Sequence, residues 1–213
     1  MRILHLKLLA TAGILAGLWA LVGCSSMSAN ECLATDWRTV GYEDGVSGYS
    51  GDRVGQYRKA CSKHGVTPDL NAYQGGRDQG LLEFCKPLNG FRTGAHGRGY
   101  NGICPDALDG PFLEAYESGR QLYNLRSRVN GAANEINSMR SESERIDADL
   151  VSAGTQILNP SLTPEQRAQL LVDTKHMAER KGEIKARLPQ LENDLQLYQH
   201  ELEDYRSTLR YVE

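Results

Sequence analysis

Residues 122–157 read LYNLRSRVNGAANEINSMRSESERIDADLVSAGTQI, and the spacing of the apolar residues in this stretch decides the fold. Leu122, Leu125, Val129, Ala132, Ile136, Met139, Ile146, Leu150, Ala153 and Ile157 step by three and four, with Ser143 the one polar residue on the seam. Such stepping is the heptad signature of a helix that buries a narrow apolar stripe against another helix. After Asn159-Pro160-Ser161-Leu162 it resumes through Leu170, Thr174, Met177, Lys181, Ile184, Leu188, Leu191, Leu195, Tyr198, Leu202, Tyr205, Leu209 and Val212. Thr163-Pro164-Glu165-Gln166 supplies an N-cap, a proline at the first helical position and a capping box, and Pro111 suits the first turn of the preceding helix. Two arms are expected, 111–156 and 164–213, each roughly 70 Å long at about 1.5 Å per residue.

The arms are expected to pair antiparallel about a turn centred on Pro160, with facing residue numbers summing to 320. That register sets Glu142 beside Arg180, Glu135 beside Arg187, Arg128 beside Asp194 and Arg126 beside Glu192, all complementary, whereas Asp149 beside Asp173 is not. In the core it sets Leu202 against Ser118 and Leu188 against Ala132, and it places Pro111 opposite Leu209. Gly131 and Pro189 fall at one height, where proline removes a helix hydrogen bond and glycine loosens the facing helix, so they are hinge candidates. Arg167, Thr174 and Lys181 put polar groups on the seam near the turn, which makes Leu158, Pro160, Leu162 and Lys181 the candidate contact residues for a partner protein or a second copy.

Upstream of the hairpin the composition changes. Of 22 glycines, 15 lie between Cys32 and Gly110, together with Cys32, Cys61, Cys85 and Cys104. A segment 32–110 so poor in large aliphatics has a thin core, and disulfides compensate for that in small exported domains. Four cysteines allow three pairings. Cys32 with Cys61 and Cys85 with Cys104 close the shortest loops and are preferred on that ground. Zinc is the competing use, but no Cys-x-x-Cys knuckle is present. No run shows the period-two alternation of a strand, so the fold class is all-α: a small disulfide-stapled Gly-rich module of short helices and turns followed by a long antiparallel coiled-coil helical hairpin. An aromatic precedes glycine by three residues at Tyr73/Gly76, Phe91/Gly94 and Tyr116/Gly119, with Trp37/Gly41 a looser copy. Gly41/Gly45 and Gly76/Gly80, each four apart, either share a helix face that admits a neighbouring backbone or mark turns. Phe112, Tyr116, Gly119 and Tyr123 lie off the seam and are expected to dock the module.

The N-terminus reads as an address. Arg2 and Lys7 precede an apolar run from Leu8 to Leu21, and Leu21-Val22-Gly23-Cys24 resembles a bacterial lipoprotein cleavage site. Residues 1–23 are then a signal peptide, Cys24 the lipidated first residue of the mature chain and 24–31 a short tether. Two or more acyl chains anchor stably, so the lipid bilayer is a partner through Cys24. Ser25 in place of aspartate points to the outer membrane, facing the periplasm. The whole chain carries 24 basic and 27 acidic residues. Loss of Arg2 and Lys7 leaves 22 against 27, a mildly acidic surface that suits neither nucleic acid nor anionic lipid head groups.

Trp37-x-x-x-Gly41-x-x-Asp44-Gly45, Cys61-x-x-x-Gly65-Val66-x-Pro68-Asp69, Tyr73-x-x-Gly76-Arg77-x-x-Gly80-Leu81, Cys85-x-Pro87-x-Asn89-Gly90-Phe91 and Tyr100-x-x-x-Cys104-Pro105 together resemble the lipoprotein family known as domain of unknown function 2799, over about residues 30–125. The resemblance implies an envelope location and a cysteine-stapled module; the family has no assigned activity, so no catalytic residue is carried over from it.

Chemistry is sparse in the sequence. Gly94-Ala95-His96-Gly97-Arg98-Gly99 lacks the Lys-Ser/Thr ending of a phosphate loop. His64 and His96 have no second histidine at ligand spacing, His176 and His200 fall outside the seam, and Glu43-Asp44 reads as a solvated or capping pair. The expectation is therefore a non-enzymatic envelope protein without cofactor or metal, a spacer or docking scaffold acting through its hairpin. The alternative is a peptidoglycan or glycan binder that uses Tyr42, Tyr49, Tyr73 and Tyr100 as stacking faces, with the hairpin only positioning it.

Overall fold

A computed structural model describes residues 27–210, and every helix named below lies in that range. Residues 1–23, read from the sequence as a signal peptide, the lipidation candidate Cys24 and Val212 lie outside the described residues. Seven α-helices and no strand are present among the described residues: α1 (Ala29–Ala34), α2 (Trp37–Val46), α3 (Val54–Ser62), α4 (Leu70–Phe84), α5 (Pro87–Ala95), α6 (Asp106–Ile157) and α7 (Pro164–Thr208), with a 3-10 turn at Gly51–Arg53. The fold is all-α, as the patterning implies.

The chain divides into two compact units between Phe84 and Cys85, not at residue 110. The composition shift at 110 misplaces this boundary because it follows glycine content. Contacts follow which helices glycine brings together, and α5 packs on α6.

In the first unit, Ser28 and Glu31 form a capping box on α1, and the Asp36 carboxylate caps α2 by accepting from the Arg38 N–H (3.0 Å) and the Thr39 hydroxyl (2.7 Å). The disulfide Cys32–Cys61 ties α1 to α3 and is buried with Trp37 and Tyr73 in one apolar cluster. Glycines carry the α2–α4 contact. A methyl built on Gly41 would lie 2.0 Å from the Tyr73 carbonyl oxygen, and one on Gly76 would lie 1.9 Å from that of Arg38. Backbone touches backbone here, so of the two readings of these glycines the close approach is the one the structure adopts.

In the second unit, Cys85–Cys104 joins the start of α5 to the start of α6. Both disulfides are therefore the sequential pairs. The α5–α6 contact repeats the α2–α4 contact position by position. Gly90 meets the Phe112 carbonyl as Gly41 meets Tyr73, Gly94 meets Tyr116 as Gly45 meets Arg77, and Gly119 meets Phe91 as Gly80 meets Tyr42. Gly48 and Gly97, both at φ +72°, lie against the rings of Phe84 and Tyr123 respectively. Even the peripheral hydrogen bond recurs: Arg77 donates to the Tyr49 carbonyl (3.1 Å), and the Tyr116 hydroxyl donates to that of Arg98 (3.1 Å). The repeating object is thus a helix pair, Gly41-Tyr42-x-x-Gly45-Val46-x-Gly48 with Tyr73-x-x-Gly76-x-x-x-Gly80-x-x-x-Phe84, matched by Gly90-Phe91-x-x-Gly94-Ala95-x-Gly97 with Phe112-x-x-Ala115-x-x-x-Gly119-x-x-x-Tyr123. The aromatic–glycine spacing alone misaligns the copies, because it matches Tyr116/Gly119 to Tyr73/Gly76, whereas Phe112/Ala115 occupies that place.

The hairpin consists of the 52-residue α6 and the 45-residue α7. Its first arm starts at Asp106, five residues before Pro111, because Pro105 ends the extended approach from Cys104, and Asp106 and Asp109 complement the positive end of the helix. The Thr163–Gln166 capping box opens α7 as its sequence indicates. Leu122, Ala132, Ile136, Ile146 and Ala153 of α6 and Ile184, Leu191 and Leu202 of α7 are buried. Glu142–Arg180 (2.8 Å) and Glu135–Arg187 (2.9 Å) form as expected.

The register nevertheless departs from the expected frame. Arg128 pairs with Glu201 (2.6 Å), one heptad beyond Asp194, and Glu192 takes Arg140 (2.6 Å) in place of Arg126. At the base Leu202 packs with Ala115 and Leu122, while the Ser118 carbonyl accepts from the Tyr205 hydroxyl (2.8 Å). Charges repeat along both helices, so surface pairs worth about 0.2–1 kcal/mol each fit several frames. Burial of Leu202 and Leu122 outweighs them at about 1.5–3 kcal/mol per side chain. Gly131 and Pro189 both lie inside continuous helix.

Candidate functional site

Asp44 is the one charged side chain buried among the described residues. It sits on the third turn of α2, between the two glycines that press that helix onto α4, and the close approach carries its carboxylate into the first unit's interior. Three partners satisfy it. Tyr73 on α4 donates its hydroxyl to Oδ2 (2.8 Å), Tyr57 on α3 donates to Oδ1 (3.3 Å), and the Arg53 guanidinium lies 3.0 Å from Oδ1. Arg53 Nε also donates to the Tyr57 oxygen (3.1 Å), and its guanidinium lies over the Tyr49 ring, 3.8 Å from the centroid. Burial, and then the Asp44 bond, raise the Tyr73 phenol well above its usual range, so it stays protonated and serves as a donor. No side-chain nitrogen or oxygen is left buried without a partner among the described residues. The sequence reading of Glu43-Asp44 as a solvated or capping pair is therefore corrected for Asp44. What hides its burial is that the residues surrounding it come from three separate helices.

Beside this cluster a groove of about 530 Å³ opens between the Gly51–Gly55 segment and α4, lined by Asp52, Val54, Arg58, Leu70, Tyr73, Gln74, Arg77 and Asp78. The second copy answers the Asp44 position with Thr93 and the Tyr73 position with Phe112, which is fully buried. Its own polar contact is different: the Tyr100 hydroxyl donates to Asp109 and accepts the Cys104 N–H (3.1 Å), and its phenol is pushed up to about 12 by burial and then by that carboxylate. Of the four tyrosines offered as stacking faces, Tyr73 is fully buried and Tyr100 packs against Phe112 with ring centroids 4.7 Å apart, so only Tyr42 and Tyr49 stand exposed.

The remaining candidates are dispersed. All four disulfide cysteines are buried. Leu158 and Pro160 are exposed at the hairpin turn and Leu162 is half-buried, while Lys181 makes an ion pair with Asp147. Arg167 donates to the Ile157 and Asn159 carbonyls and so caps the end of α6. Gly97 follows His96 at the end of α5, so the Gly94–Gly99 stretch is a helix end and not a phosphate cradle. Among the described residues no three His, Cys, Asp or Glu side chains are grouped to hold a metal ion, and no helix is long and apolar enough to cross a membrane.

These features define a class: a disulfide-braced, all-helical domain made of two glycine-packed helix pairs, the second of which runs on into a coiled-coil hairpin. Residues 36–121, which span both pairs and stop one residue before the hairpin seam begins at Leu122, match the family described as Protein of unknown function (DUF2799), and this segment is a domain of that family. No curated protein and no solved structure matches the chain.

Proposed function

We propose that the protein is a non-enzymatic envelope lipoprotein, held through acylated Cys24 in the outer membrane and facing the periplasm, whose α6–α7 hairpin works as a spacer or docking arm for an envelope protein. The observation that carries this reading is the contrast along the hairpin. Toward the base the seam residues Leu122, Leu191 and Leu202 are enclosed, with Leu197 and Tyr123 the exposed exceptions, whereas Val151, Leu158, Leu171 and Val172 around the turn are all roughly half to four-fifths exposed. Large apolar side chains grouped on a surface are the usual mark of a contact site. Two formed disulfides favour an oxidising compartment, in keeping with the lipoprotein leader. Photo-crosslinkers placed at Leu158 and Val172 in cells should trap one defined protein. Serine at Val151, Leu158, Leu171 and Val172 together should abolish the adduct, and Cys24→Ala should release the protein from membranes. Equal labelling from the turn and from exposed mid-arm positions would exclude a docking tip.

A further inference from the structure

The two copies serve as controls for one another. Both share three matched glycine contacts, with Ala115 in the place of Gly76, a matched turn glycine (Gly48 and Gly97) and a disulfide ahead of the second helix, so the other differences between them are not required by the scaffold. One difference is length: 23 residues (50–72) separate Tyr49 from Tyr73, against 13 (99–111) between the equivalent Arg98 and Phe112. The longer connection of the first copy folds into the Gly51–Arg53 turn and α3, and these make one wall of the groove against α4. The other difference is chemistry. The first copy places Asp44 and Tyr73 where the second has Thr93 and Phe112, and it places Arg77 where the second has Tyr116. Together with Arg53 and Tyr57 from the added segment, Asp44 and Tyr73 fix α3 to α2 and α4 through hydrogen bonds, and Tyr73 itself lines the groove.

The groove walls carry both signs of charge. Asp52 and Arg58 come from the added segment, and Arg77 and Asp78 come from α4. Arg77 is held by two hydrogen bonds to the Tyr49 carbonyl. Among the described residues, Arg58 and Asp78 have no ion-pair partner. A volume of about 530 Å³ falls within the range of roughly 300–1,000 Å³ typical of small-molecule sites.

We propose that this groove is a binding site for a short zwitterionic ligand, a molecule that offers a carboxylate to Arg58 and Arg77 and an ammonium group to Asp52 and Asp78. Charge-assisted hydrogen bonds from two guanidinium groups select the carboxylate, and the two aspartates make an uncharged amine analogue a poor substitute. The site is separate from the hairpin turn and does not rest on the docking role proposed above.

Two ligand sources share this chemistry, a peptide and an acidic amino sugar. The test therefore titrates the full mature chain, isotopically labelled, with the tripeptide Ala-Glu-Lys and separately with muramic acid, following amide shifts. The expected result is saturable shifts at Gly51, Gly55 and Gln74 with either ligand, with Kd at or below about 1 mM, equivalent to about −4 kcal/mol. Acetylating the amines and amidating the carboxylates should weaken binding at least tenfold. Arg58→Ala and Asp78→Ala, both exposed substitutions, should each weaken it while leaving the Gly90, Gly94 and Gly119 amides unmoved. The tripeptide alone would identify a peptide ligand, and muramic acid alone an amino sugar. No saturable shift with either, equal affinity for the blocked compounds, or shifts centred outside the groove would overturn the proposal.

Discussion

A single methyl group tests the glycine packing. In Gly119→Ala the added Cβ would lie 2.1 Å from the Phe91 carbonyl oxygen and 2.7 Å from the Ala95 nitrogen, and ordinary contact begins at 3.4 Å. Both neighbours are backbone atoms of α5, so no rotamer change relieves the clash, and the two helices must separate by about 1.3 Å at this point. Overpacking of this kind costs about 1–3 kcal/mol, and the rigid neighbours here put it at the upper end. Alanine returns about 0.5–1 kcal/mol through helix propensity. The net expectation is a loss of about 2 kcal/mol. With an m-value of about 1–3 kcal/mol/M, the urea midpoint should fall by roughly 1 M. Gly131→Ala, twelve residues further along the same helix, meets nothing within 4 Å and should instead gain about 0.5–1 kcal/mol. Urea titrations of the oxidised variants, followed by circular dichroism and by hydrogen exchange of the α5 amides, measure both signs. A Gly119→Ala midpoint at or above that of the unsubstituted protein would refute backbone contact as the reason for glycine.

Further expectations concern the polar cluster, the disulfides and the tyrosines. Asp44→Ala leaves the buried Tyr73 hydroxyl without its acceptor and Arg53 without its counter-charge. It should cost about 2–3 kcal/mol in chemical denaturation, with Asp44→Asn losing less. Reducing Cys32–Cys61 opens a 29-residue separation and should cost about 2–5 kcal/mol, read as a lower midpoint for the first unit under dithiothreitol. A midpoint unchanged on reduction would show that the glycine contact suffices alone. Tyr100 has a folded pKa of about 12 against an ordinary value of 10.0. Its raised pKa therefore contributes stability that is fully present below pH 10 and is lost as pH rises toward 12, where absorbance at 295 nm should register its ionisation. Exchanging charges in Glu135→Arg with Arg187→Glu should recover the 0.2–1 kcal/mol or so that either change alone loses, an amount that salt should diminish.

How far the fold could be read in advance depended on the range of the forces involved. The heptad seam, the Thr163–Gln166 cap and the sequential disulfides are local or nearly so, and each stands in the structure where the sequence puts it. The hairpin register is not local. Its charged flanks fit more than one frame, so the deciding contact is the burial of Leu202 against Ala115 and Leu122, which depends on how α5 and α6 pack beneath it. Asp44 was obscured for a related reason. Its neighbours in sequence, Glu43 and Gly45, say nothing about Tyr57 and Tyr73, which reach it from two other helices. The one signal available was the glycine spacing: Asp44 is three residues after Gly41 and next to Gly45, toward the helix face that meets another backbone, whereas Glu43 between the same glycines lies on the exposed face.

The duplicated helix pair turns that observation into an argument about where function resides. A backbone contact as close as Gly76 on Arg38 or Gly119 on Phe91 leaves no room for side chains between the helices, so the contact itself can hold structure but not a ligand. Whatever specificity the family domain has must be carried by the segments that connect the paired helices and by the outward faces. In the second unit α7 takes up part of that outward surface by packing Leu202, Tyr205 and Leu209 against Phe91, Ala95 and Ala115. In the first unit the connection is longer, charged and anchored to a buried carboxylate. Exchanging the two connections, 50–72 for 99–111, should move zwitterion binding with the longer one only if Asp44, Tyr73 and Arg77 are moved as well, because Thr93 and Phe112 offer α3 no partner and Tyr116 offers the ligand no guanidinium. Binding that followed the connection and Arg77 without Asp44 and Tyr73 would show that the buried carboxylate is scaffold, with no part in shaping the groove.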